Sequence, residues 1–399
     1  MITPLYEAFA AVRTHAHPLA AEDVPLIDAC GRVLAEAVRA RRDQPATDIS
    51  MMDGYALRAA DAGAPLRVAG EIAAGDEPWT RELQVREAAR IFTGAPLPPG
   101  ADCVVMQEHA ARSGGEVRVQ QPPKAGQHIR RRGEELTAGM EALPAGRVLD
   151  SADLALAAAC GAATVRSHRR PRVAVLSTGS ELVPLGADPG PGQIVETNSV
   201  TLGALCHDAG AEVLRLGIAK DMVELIAGRL RDAPADILLT TGGASVGDHD
   251  HAQDALERLG GKLIFHTVAI RPGKPVLFGT ASGGRLLFGL PGNPAAATLG
   301  FELFVRLAIR LLSGDPAPAR PRVRARLRGT LSRVKGLTFF PRGRASLEGS
   351  QLVFAPGAQQ SSMQIASWSG ANAVGIIPPG EGRLDDGAEV DLLLLGPLS

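Results

Sequence analysis

The sequence predicts a multidomain α/β protein organised around a three-layer αβα unit with a mainly parallel sheet. Between residues 172 and 314, strand-like apolar runs alternate with helical segments, the signature of successive βαβ units. On either side, residues 42–139 and 320–399 are short strand-like runs broken by Gly and Pro, which reads as separate β modules. At 399 residues the chain is too long for one ordinary core, since roughly 100–200 residues per domain predict two to four.

Taken in order, residues 4–14 place Leu5, Phe9 and Val12 at helical spacing, and 23–38 reads as a short segment with a Cys30-Gly31 turn. LRVAGEIAAG, ARIFTGAPLPPG, CVVMQEHA and EVRVQQPP are strands and turns of a β-rich module. Residues 149–161 are alanine-rich and read as a helix capped by Ser151. RVAVLST, AEVLRLG and DILLTT are strands separated by helices over 198–209 and 221–231, with a further helix over 250–259. FHTVAI, VLFGT and RLLFGL follow, then a long helix over 294–312. RVRARLRGTLS, QLVFAPG, AVGIIPPG and AEVDLLLLG predict a small β-barrel or sandwich.

Composition excludes several classes. Hydrophobic residues make up 45% and charged residues 21% of the chain, which rules out wholesale disorder. A formal net charge of −1 argues against a dedicated nucleic-acid binder. Nine basic residues and no acid fall between Arg320 and Arg344, yet Arg322, Arg324, Arg326 and Arg328 alternate with Val323, Ala325 and Leu327, as in a strand with one solvated face. Cys30, Cys103, Cys160 and Cys206 have no CxxC spacing, so neither a zinc knuckle nor a disulfide framework is expected. The first residues lack a signal-peptide pattern and no window is apolar enough to span a bilayer. A cytoplasmic protein with no membrane contact is expected.

Residues 236–274 carry the most chemistry. The buried run 237–239 ends in a loop where Gly242, Gly243 and Gly247 let the backbone turn with its N–H groups free for an anion. Asp248 and Asp250 follow, placing hard carboxylate oxygens where a Mg²⁺ bridging to phosphate needs them. In AIRPGKPV, Arg271 and Lys274 add cations for phosphate oxygens. GLPGNP places Asn293 as N-cap and Pro294 as first residue of the long helix, whose unpaired N–H groups would face the ligand; a plain strand-to-helix turn has the same sequence. Glu181 in STGSEL suits a ligand at a strand end or an ordinary first-turn acid. In open sheets of this kind ligands bind beyond the carboxyl ends of the strands. DHDH at 248–251 lacks a second His cluster for a zinc site, and no Walker or GxGxxG motif is present.

Six ordered words span nearly the whole chain: Ser50-Met51-Met52-Asp53-Gly54-Tyr55-Ala56, Arg90-Ile91-Phe92-Thr93-Gly94-Ala95-Pro96, Arg131-Arg132-Gly133-Glu134, Ser177-Thr178-Gly179-Ser180-Glu181-Leu182, Gly242-Gly243-Ala244-Ser245-Val246-Gly247-Asp248 and Leu290-Pro291-Gly292-Asn293-Pro294. Together they resemble the molybdopterin molybdenumtransferases, or molybdenum insertases, the family that includes the C-terminal region of gephyrin. The resemblance implies an αβα molybdopterin-binding catalytic domain (1–21 and 169–319), an elongated discontinuous linker and dimerisation domain (22–42 and 140–168), an inserted β-rich domain (43–139) and a C-terminal β-barrel domain (320–399). It further implies a homodimer whose active cleft is shared between subunits, with transient contacts to molybdopterin adenylyltransferase and molybdoenzyme maturation proteins.

The implied reaction inserts molybdate into adenylylated molybdopterin with Mg²⁺-dependent cleavage of the phosphoanhydride and release of AMP. By the same resemblance Asp53, Thr93, Glu181, Asp221 and Asp250 are catalytic, and Glu181, Asp221 and Asp250 hold the magnesium. Gly242, Gly243, Ser245, Gly247, Asp248, Arg271, Lys274, Pro291, Asn293 and Pro294 bind substrate from the sheet side, Arg132 and Glu135 from the insertion. The chain departs from the family pattern at Glu135, where Asp is usual, at Thr267, where a basic residue is common, at Ser180, where Asp is frequent, and at Ala295-Ala296, where a serine-containing pair follows the motif. Two other readings remain at this point: a non-catalytic adenylyl-molybdopterin scaffold, and a molybdopterin adenylyltransferase.

Overall fold

The computed structural model describes residues 2–242 and 251–398. At its centre is a six-stranded sheet in the order Glu212–Ala219, Arg172–Thr178, Ile237–Thr241, Arg285–Leu290, Pro275–Ala281, Lys262–Thr267. The first four strands are parallel, and the last two add antiparallel at one edge. Ile237–Thr241 is buried along its whole length, as expected of a strand covered on both faces.

The alternation of side chains along these strands feeds two cores. Val173, Val175, Ile237, Leu239, Phe278 and Phe288 pack with Ala8 and Val12 of the helix Leu5–His15, with Leu202 and Cys206 of Asn198–Asp208, and with Phe301 and Phe304 of the long C-terminal helix. On the other face Ala174, Leu176, Leu238, Leu277 and Leu287 meet Ile226 and Leu230 of Val223–Asp232 and Ala252 and Leu256 of His251–Arg258. The sheet is therefore the middle of three layers. The long helix runs as Pro294–Gly300, a π turn Phe301–Val305 and Arg306–Leu312.

Two β structures flank this unit. The N-terminal one orders Cys103–Met106, Gly54–Leu57, Glu87–Ile91, Leu66–Ile72, Glu116–Val119 and Ala110–Ser113, with a small apolar core on each face. Beside its edge strand Cys103–Met106, a Cβ on Gly54 would lie 1.8 Å from the Val105 carbonyl oxygen, so only glycine allows the strands to approach that closely. The C-terminal one is a closed five-stranded barrel, Arg322–Leu327, Gln351–Pro356, Arg342–Glu348, Ala373–Ile376 and Glu389–Leu394. Its Arg322, Arg324 and Arg326 face outward while Ala325 and Leu327 are buried, as the alternation predicts.

Between the sheets lies an elongated region where Ala21–Pro25 pairs with Thr164–His168 and Val38–Arg39 with Glu141–Leu143. Its helix Ser151–Ala159 corrects one expectation. The cap is Asp150, not Ser151: the Asp150 carboxylate accepts from the N–H groups of Ala152 and Asp153, and Asp153 reaches back to the Asp150 N–H. A carboxylate at N-cap with an acceptor three residues on satisfies two orphan donors at once and outcompetes a serine one position later. Among the described residues no helix is long and apolar enough to cross a membrane.

Candidate active site

The parallel strands end in a common cavity of about 940 Å³. Thr178 ends the strand Arg172–Thr178 and Gly179 and Glu181 follow it, Asp221 follows Glu212–Ala219, Thr241 ends Ile237–Thr241 with Gly242 next, and Pro291, Gly292, Asn293 and Pro294 follow Arg285–Leu290. This is the carboxyl edge, where strand-end loops diverge and leave a crevice.

Backbone economy shapes its floor. Gly242 has φ +94, and a Cβ there would stand 2.1 Å from the Thr178 carbonyl oxygen, so the third strand can turn away only with glycine at this point. A Cβ on Gly179 would meet the Glu181 carboxylate at 2.7 Å; the carboxylate folds back over the space that glycine leaves. Asp221 precedes its helix and accepts from the Ser180 N–H at 3.0 Å, which ties the loops carrying Glu181 and Asp221 together. Both carboxylates border the same cavity, and such hard oxygen donors suit Mg²⁺. The third expected ligand, Asp250, together with Gly243, Ser245, Gly247 and Asp248, lies outside the described residues. Among the described residues no cluster of three or more metal-binding side chains forms.

Several wall residues escaped the sequence reading. Asn198 donates through Nδ2 to Thr241 Oγ1 at 2.7 Å and to the Gly292 carbonyl at 2.9 Å, joining three loops. Glu196 is buried and accepts from Ser177 Oγ at 2.9 Å and from the Ser199 N–H at 2.7 Å, which braces the helix start behind the cavity. The local word Glu196-Thr197-Asn198-Ser199 is rich in capping side chains, and that signal was available. Met363, from the segment between two barrel strands, also lines the cavity.

That segment overturns another expectation. The first-turn amides of the long helix are not free: the Ala295 N–H donates to the Ser362 carbonyl at 3.1 Å, and those of Ala296 and Ala297 to the Asn293 carbonyl. Asn293 makes no side-chain cap and instead donates through Nδ2 to Ser362 Oγ at 3.3 Å. Pro294 has no N–H to offer. A loop reaching over from the barrel has taken the Ala295 donor, and the Asn293 carbonyl takes the next two, so the donors that a helix start usually leaves open are used. Behind the loop, the fully buried Arg342 donates to Ser367 Oγ at 3.1 Å and to the Ser361 carbonyl at 3.1 Å. Burial pushes its guanidinium down to about 10, so it remains a cation at neutral pH.

The remaining expected residues lie elsewhere. Because Pro275–Ala281 runs antiparallel to its neighbour, Lys274 and Arg271 sit by the same sheet edge, but neither borders the cavity. The Arg271 guanidinium lies 5.4 Å over the Phe339 ring, which is a cation–π contact with the barrel side. Asp53 and Thr93 come together on the N-terminal sheet. Thr93 donates both its N–H (2.8 Å) and its hydroxyl (2.9 Å) to Asp53 Oδ1. The Thr93 backbone bond foremost, then its hydroxyl, and last the charge of Arg90, hold the Asp53 carboxyl below the usual range, with desolvation opposing them. Arg132 donates through Nε to Asp43, and Glu135 accepts from Arg130. None of Asp53, Thr93, Arg132 and Glu135 borders the cavity of the same chain.

Fold and site together define a multidomain protein with a ligand cavity at the open edge of an αβα sheet and a β-barrel reaching over it. Residues 3–161 match the model for the "MoeA N-terminal region (domain I and II)", 174–311 that for the "Probable molybdopterin binding domain", and 324–395 that for the "MoeA C-terminal region (domain IV)". The molybdopterin molybdenumtransferase of Nostoc sp. is 37% identical over 393 residues, covering 94% of this chain and 89% of that protein. Molybdopterin molybdenumtransferase 2 of Mycobacterium tuberculosis is 39% identical over 363 residues, with 87% and 89% covered. A solved molybdopterin biosynthesis MoeA protein from Pyrococcus horikoshii superposes with a TM-score of 0.86 at 32% identity over 100% of both chains. The chain belongs to the molybdopterin molybdenumtransferase family and is a transferase of molybdenum cofactor biosynthesis.

Proposed function

We propose that this protein inserts molybdate into adenylylated molybdopterin in the cytoplasm, cleaving the phosphoanhydride and releasing AMP, in a cleft shared by the two subunits of a homodimer. The observation that carries the reading is the convergence of Glu181 and Asp221 with Gly242, Pro291 and Asn293 on one cavity at the carboxyl edge. An anhydride is multiply anionic, so carboxylates belong beside it only with a cation between them. Glu181, Asp221 and Asp250 would hold Mg²⁺, which when bound supplies neutralisation of the charge that develops as the phosphorus–oxygen bond breaks.

The chain's own residues do the rest. Asn198 and Glu196 keep the strand-end loops in register around the substrate. The glycine loop beginning at Gly242, with Ser245, Gly247 and Asp248, receives phosphate, and Lys274 and Arg271 at the sheet edge add positive charge. Asp53 and Thr93 approach molybdate or the pterin from the second subunit, where the ionised Asp53 can accept a hydrogen bond from an N–H of the pterin. Two observations support the shared cleft: Asp53 and Thr93 form a preorganised pair, and they are absent from the cavity wall of their own chain. The dithiolene of the substrate provides the sulfur ligands for molybdenum, so no cysteine cluster is needed.

The test is to incubate purified protein with adenylylated molybdopterin, Mg²⁺ and molybdate, following AMP and pterin-bound molybdenum together. Coupled appearance of both is expected. Tight pterin binding without AMP release would favour the scaffold reading, and adenylylation of free molybdopterin would favour the adenylyltransferase.

A further inference from the structure

The charged run from Arg130 to Glu135 has no place in the cavity, and its hydrogen bonds show where it is used. The chain passes from the elongated region into the N-terminal sheet near residue 43 and returns near residue 138. On one side of this neck Val38–Arg39 pairs with Glu141–Leu143, and on the other Ile49–Ser50 pairs with Ile129–Arg130. Between the two ladders, two carboxylates bind the crossing segments. Asp43 accepts from the Ala138 N–H at 2.8 Å and from Arg132 Nε at 2.6 Å. Asp48 accepts from the Arg132 N–H at 2.8 Å and from Arg131 Nη1 at 2.6 Å. The other charges close on each other, Arg130 on Glu135 at 2.7 Å and the Arg131 N–H on Glu134 at 3.0 Å.

The neck is wired directly to the Asp53–Thr93 pair. The Asp48 carbonyl receives the Leu97 N–H, the Ser50 N–H donates to the Ala95 carbonyl, and the Ser50 carbonyl accepts from Gly94, the residue after Thr93. We propose that Asp43 and Asp48 are positioning residues that clamp this neck and so fix the direction in which the N-terminal sheet presents Asp53 and Thr93; Arg131 and Arg132 serve the clamp and not the substrate.

The carboxylates carry more of the clamp than the guanidinium groups do. The Arg132 side chain is 68% exposed against 19% for Asp43, and exposed ion pairs contribute little because water screens them. A carboxylate accepting a backbone N–H is a charge-assisted bond to a group that cannot move away. The clamp stands on this geometry alone; its effect on turnover rests on the shared-cleft reading above.

Spin labels at Ser113→Cys and Ala155→Cys, both exposed positions on either side of the neck, read its stiffness. The background carries Cys30→Ser, because Cys30 is exposed while Cys103, Cys160 and Cys206 are buried. Labelled full-length protein is diluted into excess unlabelled chain so that only distances within one chain are measured. A narrow distance distribution is expected for the parent and for Arg132→Ala, and one about twofold broader for Asp43→Ala/Asp48→Ala, with AMP release lowered about tenfold. If the double Ala variant does not fold, Asp43→Asn and Asp48→Asn keep an acceptor and should broaden the distribution to a lesser degree. An unchanged width in these carboxylate variants would overturn the clamp, and broadening with full turnover would overturn its positioning role. A parent protein that releases no AMP would strike the proposed reaction instead, leaving the distance measurement to judge the clamp.

Discussion

Thr93 offers two donors to a single oxygen of the exposed Asp53, its backbone N–H at 2.8 Å and its hydroxyl at 2.9 Å. The pair is exposed, so it does little for the stability of its own sheet. A carboxylate held ionised at a fixed angle on a surface is instead suited to meeting something that docks there.

The pH dependence of this pair follows from its direction of shift. With the folded-state value below the ordinary one, the interaction is fully present above the usual carboxylate range and is lost only as pH falls through the depressed value. Asp53 should therefore contribute nothing to any pH dependence of turnover above about pH 5. Thr93→Val removes the hydroxyl but keeps the N–H; carboxyl NMR titration should show Asp53 moving up toward the ordinary range, and AMP release should fall about tenfold. An unmoved titration would mean the hydroxyl bond is not made in solution.

Replacing Asp221 with Asn should lower AMP release by about 10² or more while circular dichroism and the melting transition stay near those of the parent. Asp250→Asn should behave alike. Near-normal turnover in both would remove the magnesium assignment.

Gly242 tests the floor of the cavity. Since a Cβ would stand 2.1 Å from the Thr178 carbonyl oxygen at φ +94, Gly242→Ala should cost at least about 1–3 kcal/mol and be seen as a lowered melting temperature. Gly190→Ala, in an open loop where the nearest atom is at 3.4 Å, is the control and should melt like the parent.

How much was legible in the sequence depended on distance along the chain. Arg172–Thr178 and Ile237–Thr241 could be read because a strand buried on both faces is a continuous apolar run, and the barrel strand Arg322–Leu327 because one wet face enforces alternation. Asp53 and Thr93 were identified by motif, but that Thr93 donates twice to Asp53 required the fold to bring positions 40 residues apart together. That Arg132 bonds Asp43 and Asp48 could not be read locally, because these partners lie 89 and 84 residues away. The helix start at Pro294 looked open because Ser362 reaches it from another part of the chain. The Asp150 cap is different: Asp150 and Asp153 have capping-box spacing, and the neighbouring serine hid a signal that was local.

On the proposed shared cleft, the carboxylates of the sheet edge and the Asp53–Thr93 pair work together across two copies of the chain. Asp53→Ala and Asp221→Ala homodimers, each inactive alone, should regain activity when mixed under conditions of subunit exchange. In the heterodimer one cleft carries both lesions and the other neither, so up to about half of the parent AMP release should return. If mixing restores nothing although heterodimers are verified by mass, each cleft is built from a single chain and the shared site is wrong.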